Sequence, residues 1–143
     1  MVCTGSTLKP TFLLTLPALA FLVVVIGAAT AGGDTARDVG PKDAQALIRE
    51  NAGTRDFVVL DVRTPEEFAQ GHLEGAVLVD YRSPGLREEM AGLGRTNTYL
   101  VYCRMGNRSA SALGIMRELG FRSYYHLEGG IKRWLEEGLP AVR

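Results

Sequence analysis

Short strand-length runs separate helical patterns along most of the chain, and this alternation narrows the fold most. The runs are Phe57-Val58-Val59-Leu60, Ala76-Val77-Leu78-Val79, Tyr99-Leu100-Val101-Tyr102 and Ser123-Tyr124-Tyr125-His126-Leu127. Phe57 to Leu60 is uninterrupted apolar, as expected of a strand covered on both faces. Around and between the runs lie helix signals. Gly40-Pro41 places a proline at a first helical position, and Ala44, Leu47 and Ile48 give that helix an apolar face. Thr64-Pro65-Glu66-Glu67 supplies a capping threonine, a proline and a glutamate three residues after the cap. Ser83-Pro84 opens a further helix to about Ala91. Ala112, Ile115, Met116 and Leu119 recur at helical spacing up to Gly120, and Ile131, Trp134 and Leu135 form the inward face of a last helix ended by Gly138 and Pro140. Strands alternating with helices imply an α/β fold, a parallel sheet flanked by helices on both faces.

The 143 residues suit one domain, and 16 Lys+Arg balance 16 Asp+Glu, so nothing suggests a nucleic-acid partner. Part of the apolar content is concentrated at the start. Residues 1–31 read as an export signal: Lys9, a nearly unbroken apolar stretch from Phe12 to Ala29, then Ala29-Thr30-Ala31 as a small-residue cleavage pattern. An uncleaved membrane anchor is the competing reading, because about 18 apolar residues can just span a bilayer. Residues 32–39 read as a polar linker and 40–143 as the folded domain. The expected location is therefore periplasmic or secreted, or membrane-anchored if the segment is retained. Removing 31 residues leaves 112, with Cys103 as the one cysteine, since Cys3 departs with the signal. An unpaired thiol kept in an oxidising compartment points to a use.

The surroundings of Cys103 say what use. The Tyr99–Tyr102 run is followed by Cys103-Arg104-Met105-Gly106-Asn107-Arg108-Ser109 and then by a helix. Strand, thiol, tight polar loop and helix start together can form an anion pocket around a nucleophile. Nearby arginines and a helix N-terminus favour thiolate over thiol. A loop curled around the sulfur points its backbone N–H groups inward. Gly106 lets the backbone turn, and Arg104 and Arg108 can offer forked hydrogen bonds to an anionic substrate. Asp61 and Arg63 follow the Phe57–Leu60 strand, at the sheet edge where sites gather, and are expected to form a structural pair. His72 and His126 are also expected to be structural. Two histidines with no further cysteine nearby do not support a metal site, and a cysteine already held as thiolate needs no paired base.

The loop from Cys103 to Ser109 resembles the active-site loop of the rhodanese family, the thiosulfate sulfurtransferases. The resemblance runs from about Val39 to the C-terminus. It includes Leu60-Asp61-Val62-Arg63, Pro65-Glu66-Glu67-Phe68, Gly71-His72-Leu73, Gly75-Ala76, Leu127-Glu128-Gly129-Gly130-Ile131, Trp134 and Gly138-Leu139-Pro140. It implies a rhodanese-like three-layer architecture and a sulfane sulfur carried as a persulfide on Cys103. Arg104, Met105, Gly106, Asn107, Arg108 and Ser109 would bind substrate, with Asp61 and Arg63 in support. The implied partners are a small anionic donor (thiosulfate or a persulfide) and a thiol or cyanide acceptor, which a partner protein could carry, with no cofactor. Related phosphatases and arsenate reductases have five residues between cysteine and arginine. Here four separate Cys103 from Arg108, a smaller cradle suited to a sulfane sulfur. Rhodanese-like binding modules typically lack the cysteine.

Overall fold

The computed structural model describes residues 35–143, so the export signal expected over residues 1–31 lies outside the described residues. Five parallel strands form one sheet in the order β1-β5-β4-β2-β3: β1 Thr35–Val39, β2 Phe57–Asp61, β3 Val77–Leu78, β4 Thr98–Tyr102 and β5 Ser123–Leu127. Helices α1 (Pro41–Glu50), α2 (Pro65–Ala69), α3 (Leu86–Ala91) and α4 (Asn107–Glu118) fill the connections, and α5 (Gly130–Glu136) follows the last strand. The expected α/β fold is the observed one.

Alternation of side chains along β4 divides the interior into two cores. Tyr99, Val101 and Cys103 face Met90 of α3 and Ala112, Leu113 and Met116 of α4, together with Phe121. Leu100 and Tyr102 face the other way, onto Ala44 of α1, Ile131 and Trp134 of α5, and Leu73. Strand β4 is hydrogen-bonded on both sides, Val101 lying between Leu60 of β2 and His126 of β5. A residue just past the C-terminal end of β4 therefore sits over the middle of the sheet.

Three elements differ from expectation. Thr35–Val39 falls in the segment expected to be a linker over residues 32–39, but it is an edge strand paired with β5 from Thr35↔Ser123 to Val39↔Leu127. Its residues 36–38 are exposed, so no apolar run announces it, and the backbone edge of β5 supplies the pairing. Strand β3 keeps only Val77 and Leu78 of the expected 76–79, because it pairs only with Leu60 and Asp61. The helix expected from Ser83-Pro84 begins at Leu86; the Ser83 hydroxyl accepts from the Gly85 amide in the turn before it.

Candidate active site

Cys103 follows β4 and is 2% exposed. Gly106 stands at the N-cap of α4 with φ of +105°, a left-handed conformation that favours glycine. This turn folds the loop back on the sulfur. The Gly106 amide donates to Cys103 Sγ at 3.1 Å, and the Ser109 hydroxyl lies 3.5 Å from it. Burial pushes the thiol up. The Ser109 hydroxyl and the amides of Ser109, Gly106 and Met105 outweigh it, and the pKa lies below the ordinary cysteine value.

The loop is held open toward the sulfur from behind. The first turn of α5 binds its outward-facing carbonyls, Ile131 N donating to Cys103 O at 2.9 Å and Lys132 N to Arg104 O at 3.0 Å. With the Arg104 carbonyl drawn to α5, the Met105 amide that follows it is left for the sulfur. This contact requires Gly130, which has φ of +59° and where any Cβ would collide with the Cys103 and Arg104 backbone.

The remaining loop residues divide by exposure. Arg104, Met105 and Asn107 are exposed, while Ser109 is fully buried. Arg104 lines a groove of about 700 Å³ together with Arg63, Ile131, Lys132, Leu135 and Arg143. Arg108 is directed elsewhere: its guanidinium makes a fork with Glu67 of α2 at 2.7 and 2.8 Å. That fork holds the Glu67 carboxyl at about 2. Glu67 is also the last member of the capping box with Thr64, so one carboxylate ties α2 to the loop.

Asp61 and Arg63 form the expected pair, fully buried and 5% exposed respectively. Arg63 Nη2 reaches Asp61 Oδ2 at 2.6 Å and the Gly71 carbonyl at 2.7 Å, while the Arg63 amide donates to Asp61 Oδ1. The guanidinium also lies 5.6 Å from the centroid of the Tyr102 ring. The pair fixes the end of β2 beside the active loop, its hydrogen bonds running within the pair and to the Gly71 carbonyl and not to the sulfur.

The histidines part company. His72 stacks on Phe68 at 3.7 Å and bonds its carbonyl through Nδ1, as a structural residue would. His126 lies behind the loop, its Nε2 2.9 Å from Ser109 Oγ and its Nδ1 2.8 Å from Asp38 of β1. Sequence reasoning missed this contact with the loop, as it missed Glu67 and Gly130. Among the described residues no group of three or more His, Cys, Asp or Glu could hold a metal ion.

The arrangement can do one kind of chemistry well: a depressed thiol held in a ring of amides accepts an electrophilic atom and returns it, with negative charge stabilised throughout. A family model for the rhodanese-like domain matches residues 41–137. A sulfurtransferase of Allochromatium vinosum is 33% identical over 70% of this chain and 92% of its own length. The thiosulfate sulfurtransferase GlpE of Pseudomonas aeruginosa is 34% identical over 71% of this chain and 86% of its own. Other relatives are longer, and the chain spans as little as 22% of them. Among solved structures, a rhodanese-related protein from Thermoplasma volcanium superposes with a TM-score of 0.61 at 36% identity, covering 74% of this chain and 97% of that one.

Proposed function

Since the chain belongs to the rhodanese-like domain family and has sulfurtransferase relatives, we propose that it moves a sulfane sulfur from thiosulfate or a similar anionic donor to a thiol or cyanide. The observation that carries this reading is the placement of Cys103 Sγ, buried yet depressed in pKa, inside a loop whose Gly106 amide points at it.

The reaction is a double displacement. Cys103 thiolate attacks the outer sulfur of thiosulfate; the sulfur–sulfur bond breaks and sulfite leaves with its electron pair. The enzyme then holds a cysteine persulfide. An acceptor thiolate or cyanide attacks the terminal sulfur, and Cys103 departs as thiolate. The loop amides stabilise the sulfur anions at each stage. Arg104, at the edge of the groove and exposed, supplies positive charge to the incoming donor. Arg108, committed to Glu67, shapes the loop and adds its field. The four-residue spacing between Cys103 and Arg108 keeps the cradle small, which favours a sulfane sulfur over a tetrahedral phosphate or arsenate.

Intact-mass measurement tests this directly. Brief exposure to thiosulfate should add one sulfur atom to the wild-type chain, cyanide should remove it as thiocyanate, and Cys103→Ser should gain nothing while keeping its fold. Sulfur gained equally by the serine variant would refute the assignment. The same measurement on protein recovered from its producing cell tests cleavage of the export signal, which leaves a chain beginning at Gly32, against an uncleaved membrane anchor, which keeps the full length.

A further inference from the structure

Behind the active loop a line of polar groups runs from the protein surface to the sulfur: Asp38 of β1, His126 of β5, Ser109 of α4 and Cys103. The steps are 2.8 Å from Asp38 Oδ1 to His126 Nδ1, 2.9 Å from His126 Nε2 to Ser109 Oγ and 3.5 Å from Ser109 Oγ to Cys103 Sγ. The Asp38 side chain is 64% exposed and that of His126 14%. The Gly106 carbonyl also lies 3.2 Å from His126 Nε2 and 2.9 Å from Ser109 Oγ.

Counting protons gives this line two settings. The Asp38 carboxylate only accepts, so it keeps a proton on Nδ1 in either charge state of the ring. In the neutral ring Nε2 is then a bare acceptor. It draws the single Ser109 proton toward itself and faces the Gly106 carbonyl with no hydrogen between them. In the doubly protonated ring Nε2 donates to Ser109 Oγ or to the Gly106 carbonyl. The Ser109 proton is then free to point at Cys103 Sγ. We propose that His126, held by Asp38, is a positioning residue that hands the Ser109 hydroxyl to the Cys103 thiolate when its ring carries both protons. Charging the imidazole and charging the thiol then favour one another, as linkage requires.

The other charged groups around the ring do not replace this device. A shallow depression on that side is lined by Asp38, His126, Glu128 and Arg133 among others. The Arg133 guanidinium is taken up by Glu128 and Glu137. Met105, Gly106, Asn107 and Ala110 add no charge there. From α4 the ring meets Ser109, from β1 Asp38.

The proposal rests on the sulfurtransferase reading for its biological use, but its test needs no sulfur donor. The ultraviolet absorbance of the Cys103 thiolate would be titrated against pH in the full chain carrying Cys3→Ser, then with His126→Gln or Asp38→Asn added. The expected result is a broadened wild-type titration that becomes a single step in His126→Gln. Its midpoint should rise by about one unit, a roughly tenfold loss of thiolate at fixed pH, since the charged ring that releases the Ser109 hydroxyl to the anion is gone. Asp38→Asn, on the exposed edge strand, should shift the midpoint the same way by less, and it guards against a misfolded His126 variant. Titrations matching wild type in both variants would overturn the proposal. A shifted titration in a protein that forms no persulfide would leave this coupling standing and remove the sulfurtransferase reading instead.

Discussion

Gly130 is the residue on which the active loop is most dependent without being part of it. Its φ of +59° costs an L-residue about 1–2 kcal/mol, and a methyl group there would strike the Cys103 and Arg104 backbone. Gly130→Ala should therefore do more than destabilise. It should loosen the grip of α5 on the two loop carbonyls and raise the Cys103 thiol by about one unit as an amide hydrogen bond is lost. Gly138→Ala is the control, with a similar φ of +76° and nothing within 4 Å of the added carbon. Thermal unfolding paired with thiolate titration separates the two, and an unmoved thiol in a folded Gly130→Ala would refute the argument. The sequence makes Cys103 legible because a thiol, two arginines and a glycine lie within six residues. The roles of Gly130 and His126 are illegible at that range: each depends on contacts with residues far away in the chain, and the helical or strand pattern around it would read the same without them.

Helix α2 illustrates how an element can serve the site from a distance. Its capping box was readable from Thr64-Pro65-Glu66-Glu67, because cap and partner are three residues apart. The second use of Glu67, its fork with Arg108, spans 41 residues and leaves no local trace. The fork makes α2 acid-sensitive. The Glu67 carboxyl is held at about 2 against an ordinary value of 4.5, chiefly by Arg108. A depressed carboxyl contributes stability that is present above the ordinary value and lost as pH falls toward the depressed one. The contribution is on the order of 2 kcal/mol for this partly covered pair. Glu67→Gln should be less stable than wild type near neutral pH, with the gap closing between about pH 4.5 and about pH 2. Denaturant midpoints across that range provide the check; a gap that stays constant would show that the fork contributes nothing through its charge. Strands β2, β4 and β5 were legible for the opposite reason to the fork. Each carries its signal in its own residues, whereas β1 takes its conformation from the edge of β5.

At the scale of the molecule, the central strand sets the layout. Parallel pairing on both sides of β4 and cores on both faces of the sheet put the end of β4, and so Cys103, over the middle of the sheet. The layered architecture followed from the alternation of strand and helix signals, since that pattern leaves few other ways to cover apolar strands. The order β1-β5-β4-β2-β3 was not readable, because it depends on which backbone edges meet. The grip of α5 on the loop carbonyls has a consequence in time. If that grip is what turns the Met105 amide to the sulfur, a chain with β2, β3 and β4 in place should hold its thiol nearer the ordinary value until residues 130–132 dock. Trp134, the one tryptophan in the sequence, lies in that same helix and is buried, so its fluorescence marks the docking. In a stopped-flow refolding experiment near neutral pH, thiolate absorbance should rise together with the change at Trp134, and thiolate formed ahead of it would disprove the order. On that order the nascent protein would have less thiolate to lose to stray oxidants, and the helix that completes the site would also set when its chemistry begins.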